Sequence, residues 1–270
     1  MPIYTGVADV NGDFTVPFSS NYTSGEKITV SAEKDGAVKT IELFAPSNVS
    51  GGGVIQFSGT LNNFPKNIGV ISLSEGVAGT IENYAFSAAN STDYNIFKQA
   101  TGLVIDGAVK SIGASAFANW NKATTLTLPN GLETIGGLAF TGWTSLLSLI
   151  IPGTLTSLGS GAFSGASSLL ELVIPSSITS ITSGSVFANL TSCKKVAIPA
   201  TMTSMLSASV FANLISCDEI VCNAITPPPI TSNCFVGLKS TCIFKVPAGS
   251  VDAYKVATNW SAFAARIQAI

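Results

Sequence analysis

Through the middle of the chain, apolar and polar positions follow one phrase written four times. The segments TTLTLPNGLETIGGLAF, LSLIIPGTLTSLGSGAF, LELVIPSSITSITSGSVF and KKVAIPATMTSMLSASVF each run an apolar-alternating triplet, a proline, two spaced apolar residues and a closing phenylalanine. The prolines are Pro129, Pro152, Pro175 and Pro199, and the phenylalanines are Phe140, Phe163, Phe187 and Phe211, so the unit recurs every 23 or 24 residues. Alternation in the triplet predicts a strand with one face inward. Leu126, Leu149, Leu172 and Val196 then share one inward column, continued by Ile220, and Leu128, Ile151, Ile174 and Ile198 share the next, continued by Cys222. Proline has no N–H to give to a ladder, so it should end the strand and turn the chain. Pairs such as Leu132 with Ile135 and Leu155 with Leu158 predict a second short strand, and the phenylalanine fills the far end of the coil. A period in the low twenties predicts a solenoid, because each coil has an apolar face that only a neighbouring coil can cover.

The flanks depart from the phrase. Residues 1–46 alternate as four short strands, IYTGV, FTVPF, KITVSAE and VKTIELF, with turn signals at Asn11-Gly12-Asp13 and Asp35-Gly36. This predicts a small antiparallel docking module with a marginal core. Residues 47–53, SNVSGGG, which follow Pro46 and are rich in Ser and Gly, are the expected linker, and the solenoid is expected over 54–270. Phe86 and Phe117 are 31 residues apart, so a loop of seven or eight extra residues is expected within 87–99. After Phe211 the phrase decays: Pro227-Pro228-Pro229 replaces the second apolar pair, and from about residue 243 a cap is expected, with a helix starting near Ser250 as its N-cap. Trp120 and Trp143 align with Ala166, Leu190, Leu214 and Leu238, which favours packing residues over a carbohydrate-stacking platform.

Composition narrows the chemistry. Apolar residues are 46% of the 270, enough for a large core, while charged residues are 10% and the net charge is −2, which gives no footprint for nucleic acid or anionic lipid. The polar surface therefore falls to Ser, Thr, Asn and Gly. No basic-then-apolar leader opens the sequence and no apolar run reaches membrane length, so neither a signal peptide nor membrane insertion is expected. Five cysteines lie between Cys193 and Cys242, an odd count, and read as small buried apolar groups; Cys193 and Cys217 share a column, where a disulfide is open but not required. There is no histidine, which removes the usual serine and cysteine triads and most zinc sites. Asp9-Val10-Asn11-Gly12-Asp13 lacks the glycine position and distal glutamate of a calcium loop, and Glu133, Glu171 and Glu219 do not form a glycosidase pair. No catalysis, metal or cofactor is expected.

The units Ile151 to Leu169 and Ile174 to Cys193, of the form IPxxLTxIGxxAFxxxxxL, resemble the BspA-type, or treponemal, leucine-rich repeat. VPAGSVDAYKVATNW, from Val246 to Trp260, is similar to the cap that closes many such proteins. The resemblance implies a mainly β fold: a leucine-rich-repeat parallel β solenoid, here with a small antiparallel N-terminal β module and a C-terminal helical cap, used for adhesion or protein binding without catalysis. The segments GVADVNGDFTVPFSS and KITVSAEKDGAVKTIELFAPS are similar to short β modules at the front of bacteriophage tail and fibre proteins. That second resemblance implies a virion-associated binding protein, joined to other virion proteins through its front module and turned toward a host surface protein or glycan. The alternative is a cell-associated adhesin or interaction module at the cell surface or in the cytoplasm; a homo-oligomer is open in both. If the strand face binds, the outward residues are Thr125 and Thr127, Ser148 and Ile150, Glu171 and Val173, Lys195 and Ala197, and Glu219 and Val221.

Overall fold

The computed structural model describes residues 69–74, 78–87, 97 and 99–270 and, before them, the backbone of the strands at 14–16, 27–34, 37–44 and 54–57. In chain order the described strands are β1 (Phe14–Val16), β2 (Lys27–Lys34), β3 (Ala37–Phe44), β4 (Val54–Phe57), β5 (Val70–Ser74), β6 (Ala78–Ile81), β7 (Gly102–Ile105), β8 (Ala108–Ile112), β9 (Thr125–Thr127), β10 (Thr134–Ile135), β11 (Ser157–Leu158), β12 (Glu171–Val173), β13 (Lys195–Ile198), β14 (Glu219–Cys222), β15 (Ile243–Val246) and β16 (Ile267–Ala269). They form the expected coils: β5, β7 and β9 pair in parallel on one edge, β6, β8, β10 and β11 in parallel on a second. Farther along, β12 to β16 pair in parallel in sequence order. The chain is thus a parallel β solenoid with few helices.

At the front, β2 and β3 form an antiparallel hairpin with Lys34 opposite Ala37, the register that Asp35-Gly36 predicted. β1 pairs antiparallel with β4, and β4 with β5, so strands from both sides of the expected 47–53 linker join the first solenoid sheet. The expected strand IYTGV, the turn at Asn11-Gly12-Asp13, the linker itself and most of the inserted loop lie outside the described residues.

Packing follows the columns. Leu126, Leu128, Leu149, Ile151, Leu172, Ile174, Val196 and Ile198 are all buried in one continuous core. The register of β12 with β13 puts Leu172 beside Val196, and that of β13 with β14 puts Val196 beside Ile220, so the aliphatic columns stack as the spacing required. Phenyl rings make a parallel column: Phe86, Phe117, Phe140, Phe163, Phe187, Phe211 and Phe235 lie with successive centroids 5.1, 5.5, 5.3, 6.0, 5.9 and 5.4 Å apart and planes within 11° of each other. Phe86 stacks directly on Phe117 despite their separation in sequence, so the extra residues between them leave the column intact. A shorter column of Phe97, Trp120 and Trp143 runs beside it, with centroids 6.1 and 5.7 Å apart.

The second edge is set by glycine. A Cβ on Gly136 would sit 2.5 Å from the backbone nitrogen of Ala114, and one on Gly159 would sit 2.2 Å from that of Gly137. Only a residue without Cβ lets successive coils approach this closely. The next coils carry Thr182 and Leu206 at the equivalent position, and there the second sheet gives way to isolated bridges, Ser180 with Ser204 and Met205 with Ile230.

The cap differs from the expected helix. Helix α1 (Val251–Val256) has six residues, and the Ser250 side chain makes no cap hydrogen bond. Asn259 then turns the chain in the left-handed region (φ 65°), Trp260–Arg266 form a 3-10 helix, and β16 closes the sheet in parallel with β15. What holds the cap is polar anchoring to the proline-rich coil. The Tyr254 hydroxyl donates to the Ala224 carbonyl (2.8 Å), the Trp260 indole N–H to Pro228 (2.7 Å), and the Asn259 amide to Ile230 (2.6 Å).

Candidate functional site

Strand alternation puts all ten outward residues on one side of the coils, but not equally bare. Thr125, Thr127, Ser148, Ile150, Glu171, Val173 and Lys195 are exposed, whereas Ala197, Glu219 and Val221 are half-covered. The Lys195 ammonium lies 3.1 Å from the Glu219 carboxylate. Beside it, Lys239 hydrogen-bonds Asp218; the ammonium holds that carboxyl below its ordinary range. The C-terminal third of the face is therefore charged and self-paired.

The middle of the face is apolar. Ile150 is 81% exposed and Val173 53%, and three residues before each of them Leu147 is 58% and Leu170 57% exposed. Leu147 and Leu170 stand at one register position on neighbouring coils, as do Ile150 and Val173, so the four make a two-by-two array beside Ser148 and Glu171. The main chain is also incomplete here. β9 ends one sheet and β12 begins the next, and among the described residues no backbone hydrogen bond joins 148–151 to the coil on either side. The adjoining corner is normal, with the Leu147 N–H donating to Thr124 at 3.2 Å. Leu147 and Leu170 are absent from the outward residues expected above because the alternating triplet starts one position later. The signal was available: the equivalent positions in flanking coils are Thr124 and Lys194, and a leucine between polar neighbours has no column to enter.

Elsewhere the side chains serve the interior. Trp120, Trp143 and Trp260 are fully buried, and the indoles of Trp120 and Trp143 donate to the carbonyls of Phe86 (3.1 Å) and Phe117 (2.7 Å), so they are packing residues and none offers a sugar platform. All five cysteines are buried and free, and burial pushes the Cys234 thiol up to about 12. No group of three His, Cys, Asp or Glu side chains among the described residues is placed to hold a metal ion. No helix among them is long and apolar enough to cross a membrane.

The repeat can be matched to known proteins. A family model described as the BspA type leucine rich repeat region matches residues 79–218 in six copies, more than half of the chain. The chain belongs to the BspA-type leucine-rich repeat family. Among solved structures, this BspA-type solenoid is similar to a leucine-rich repeat protein from Bacteroides ovatus, at 21% identity and a TM-score of 0.53, over 83% of this chain and 55% of that one. It is also similar to the leucine-rich repeat protein of T. pallidum (18% identity, TM-score 0.46, 77% of this chain and 90% of that one). A third is the pneumococcal vaccine antigen PcpA (21% identity, TM-score 0.46, 80% and 44%). The Bacteroides likeness shows the fold, and the chain spans about half of that protein's length. No curated protein matches the sequence. Nothing in these comparisons supports the resemblance of the front segment to phage modules. BspA-type solenoids typically serve as interaction modules without catalysis.

Proposed function

We propose that this BspA-type protein is a non-catalytic adhesion or interaction module that takes a partner protein on its outward strand face, with Leu147, Ile150, Leu170 and Val173 at the centre of contact. The observation that carries this reading is the aliphatic array itself. Single exposed apolar residues are ordinary, but four gathered at matched positions on adjacent coils are the mark of a contact surface. A protein partner fits better than a glycan, since sugars are held by exposed aromatic faces and the tryptophans here are buried. A stable protein interface needs about 800 Å² from each side, so the exposed Thr125, Thr127, Ser148, Glu171 and Lys195 would form the rim around the array.

The test is adhesion of labelled full-length protein to intact bacterial and animal cells. Saturable binding should be lost when the target cells are treated with protease, and should fall at least tenfold for the double variant Ile150→Glu, Leu170→Glu, which changes only exposed positions. Loss on glycosidase treatment instead would assign the face to a glycan, and undiminished binding by the double variant would remove the array from the site. Where the partner is met is read separately: antibodies against the chain, applied to fractionated cells and to purified particles, distinguish a cell-surface adhesin from a virion component.

A further inference from the structure

Successive coils are not bonded alike, and the step beneath the aliphatic array is open along its strand half. Coil 147–169 meets coil 170–193 through backbone hydrogen bonds in the half that carries the phenylalanine. There the N–H groups of Gly161, Phe163 and Gly165 donate to Gly184 (2.9 Å), Val186 (3.0 Å) and Ala188 (2.9 Å), and that of Ser192 donates to Ser167 (3.0 Å). In the strand half, among the described residues, no backbone hydrogen bond joins 147–158 to 170–182. One side-chain tether crosses that half, from the Ser177 hydroxyl to the Leu155 carbonyl (2.5 Å).

The steps on either side keep bonds in both halves. Coil 124–146 holds coil 147–169 through the pairing of β10 with β11 and through Leu147 to Thr124 (3.2 Å), Thr156 to Glu133 (3.0 Å) and Gly159 to Ile135 (2.8 Å). Coil 170–193 holds coil 194–217 through the pairing of β12 with β13 and through Lys194 to Leu170 (2.8 Å) and Thr203 to Thr179 (2.7 Å). The equivalent bonds from Leu170 to Leu147 and from Thr179 to Thr156 are not made. Thr182 supplies a physical reason. It stands where the two preceding coils have Gly136 and Gly159, and a residue with a Cβ cannot come as close to its neighbour as they do. The core is also looser on one side of this step: Leu149 and Ile151 are each 7% exposed, where Leu172, Val196 and Ile198 are 0%.

We propose that the junction between coils 147–169 and 170–193 is a hinge, and that the partner protein is gripped by apolar residues on both sides of it, so that binding closes it. In a stack held by nearest neighbours, a step bonded along one side turns about that side. Here the bonded side is the phenylalanine half, and turning opens the strand half. Leu147 and Ile150 ride on one side of the opening and Leu170 and Val173 on the other, so bending changes the distance between the two pairs. A partner that touches all four must hold them at one spacing. It therefore binds the closed arrangement better than the open one, and that difference is what shifts the equilibrium. The hinge stands on the bonding pattern alone, whereas its closure rests on the strand face being the contact surface.

Pairs of nitroxide labels on the full chain test both parts, placed off the array on Lys110, Thr156 and Thr203. These three are exposed and belong to one column of successive coils, with Glu133 and Thr179 between them. The native cysteines are buried, so labelling of the folded chain goes to the introduced ones. Lys110→Cys with Thr156→Cys brackets two closed steps, and Thr156→Cys with Thr203→Cys brackets the open step and one closed step. Both pairs share one labelled position, so label mobility there cancels in the comparison. In the free protein the second pair should give the broader distribution of distances. Saturating addition of cells to which the protein adheres should narrow it to the width of the first pair. Equal widths in the free protein would overturn the hinge, and a width that saturating cells leave unchanged would overturn the closure. Failure of the strand-face reading is seen separately, as undiminished adhesion by Ile150→Glu, Leu170→Glu. That result would overturn the closure, while the widths in the free protein still decide the hinge.

Discussion

Phe163 offers the sharpest test of whether the phenyl column holds the coils together. The ring is fully buried between Phe140, 5.3 Å away and 6° from parallel, and Phe187, 6.0 Å away and 3° from parallel. Phe163→Ala removes the ring from a wall whose neighbouring coils are fixed by their own ladders, so the cavity cannot collapse. Truncating a buried phenylalanine costs about 3–5 kcal/mol, and each lost ring contact accounts for about 0.5–1.5 kcal/mol of that. About 4 kcal/mol is a large part of the ~5–15 kcal/mol that stabilises a typical domain. Urea unfolding read by tryptophan fluorescence measures it, because Trp120 and Trp143 lie on one side of Phe163 and Trp260 on the other. In a Trp260→Phe background the fluorescence reports only the N-terminal coils. In a stack held by nearest neighbours, the weakened junction should also separate the two halves into distinct transitions. A loss under about 1 kcal/mol, comparable to Leu170→Ala on the exposed face, would show that the rings merely fill space between coils held in other ways.

Gly136→Ala should cost about 1–3 kcal/mol, because the added methyl meets the Ala114 backbone at 2.5 Å, while Gly153→Ala, with nothing within 4 Å, should be close to neutral; equal urea midpoints for the two would refute the close-approach argument. Leu138 is half exposed and held in the left-handed region (φ 57°), where the next coil has Gly161 (φ 64°). Leu138→Asn should therefore raise stability by about 0.5–1 kcal/mol, and a lower melting temperature would count against it. Burial raises the Cys193 and Cys234 thiols from the ordinary 9.0 to about 12. The folded chain keeps protons that the unfolded chain loses, so stability is complete below pH 9 and should fall between about pH 9 and 12, by up to about 1.4 kcal/mol per pH unit for each thiol. Urea midpoints from pH 7 to 11 should fall less steeply in Cys234→Ala; identical slopes would sink the assignment.

Where the sequence repeats without slips, its period could be read directly into space, as the columns of Leu172, Val196 and Ile220 and the rings from Phe117 to Phe235 show. Legibility failed at slips of register. Phe97 stands 23 residues before Trp120, as Trp120 does before Trp143, but the insertion that sets it 11 residues after Phe86 instead of three hid its place in that column. One extra residue near 240 likewise hid that the Cys242 N–H closes on Lys239 (3.0 Å) the same turn that Cys193 closes on Leu190 (3.1 Å) and Cys217 on Leu214 (3.2 Å). The final strand was missed because a short amphipathic run reads equally well as helix continuation until Asn259 reverses the chain. On the outward face, the period gave the sides of residues correctly, but the lapse in pairing at 148–151 has no single-residue signature.

The chain's abundance of Ser, Thr and Asn has a structural explanation that bears on function. Many of these side chains are bonded inward to the neighbouring coil. Thr154 donates to Leu132 (2.7 Å), Ser177 to Leu155 (2.5 Å), Thr203 to Thr179 (2.8 Å) and Thr231 to Ser207 (2.9 Å), and the Asn213 amide donates to the Asn189 side chain (2.8 Å). A hydroxyl that satisfies a carbonyl one coil away cannot be exchanged freely for a recognition side chain, since the carbonyl would lose its partner. What remains free to change is the set of outward strand positions, whereas at the corners just before them Thr124 still donates to Thr101 (3.2 Å). The side chains of Ile150, Val173, Leu147 and Leu170 make no such bond to a neighbouring coil and expose apolar surface. Their placement is therefore better explained by a partner than by the solenoid.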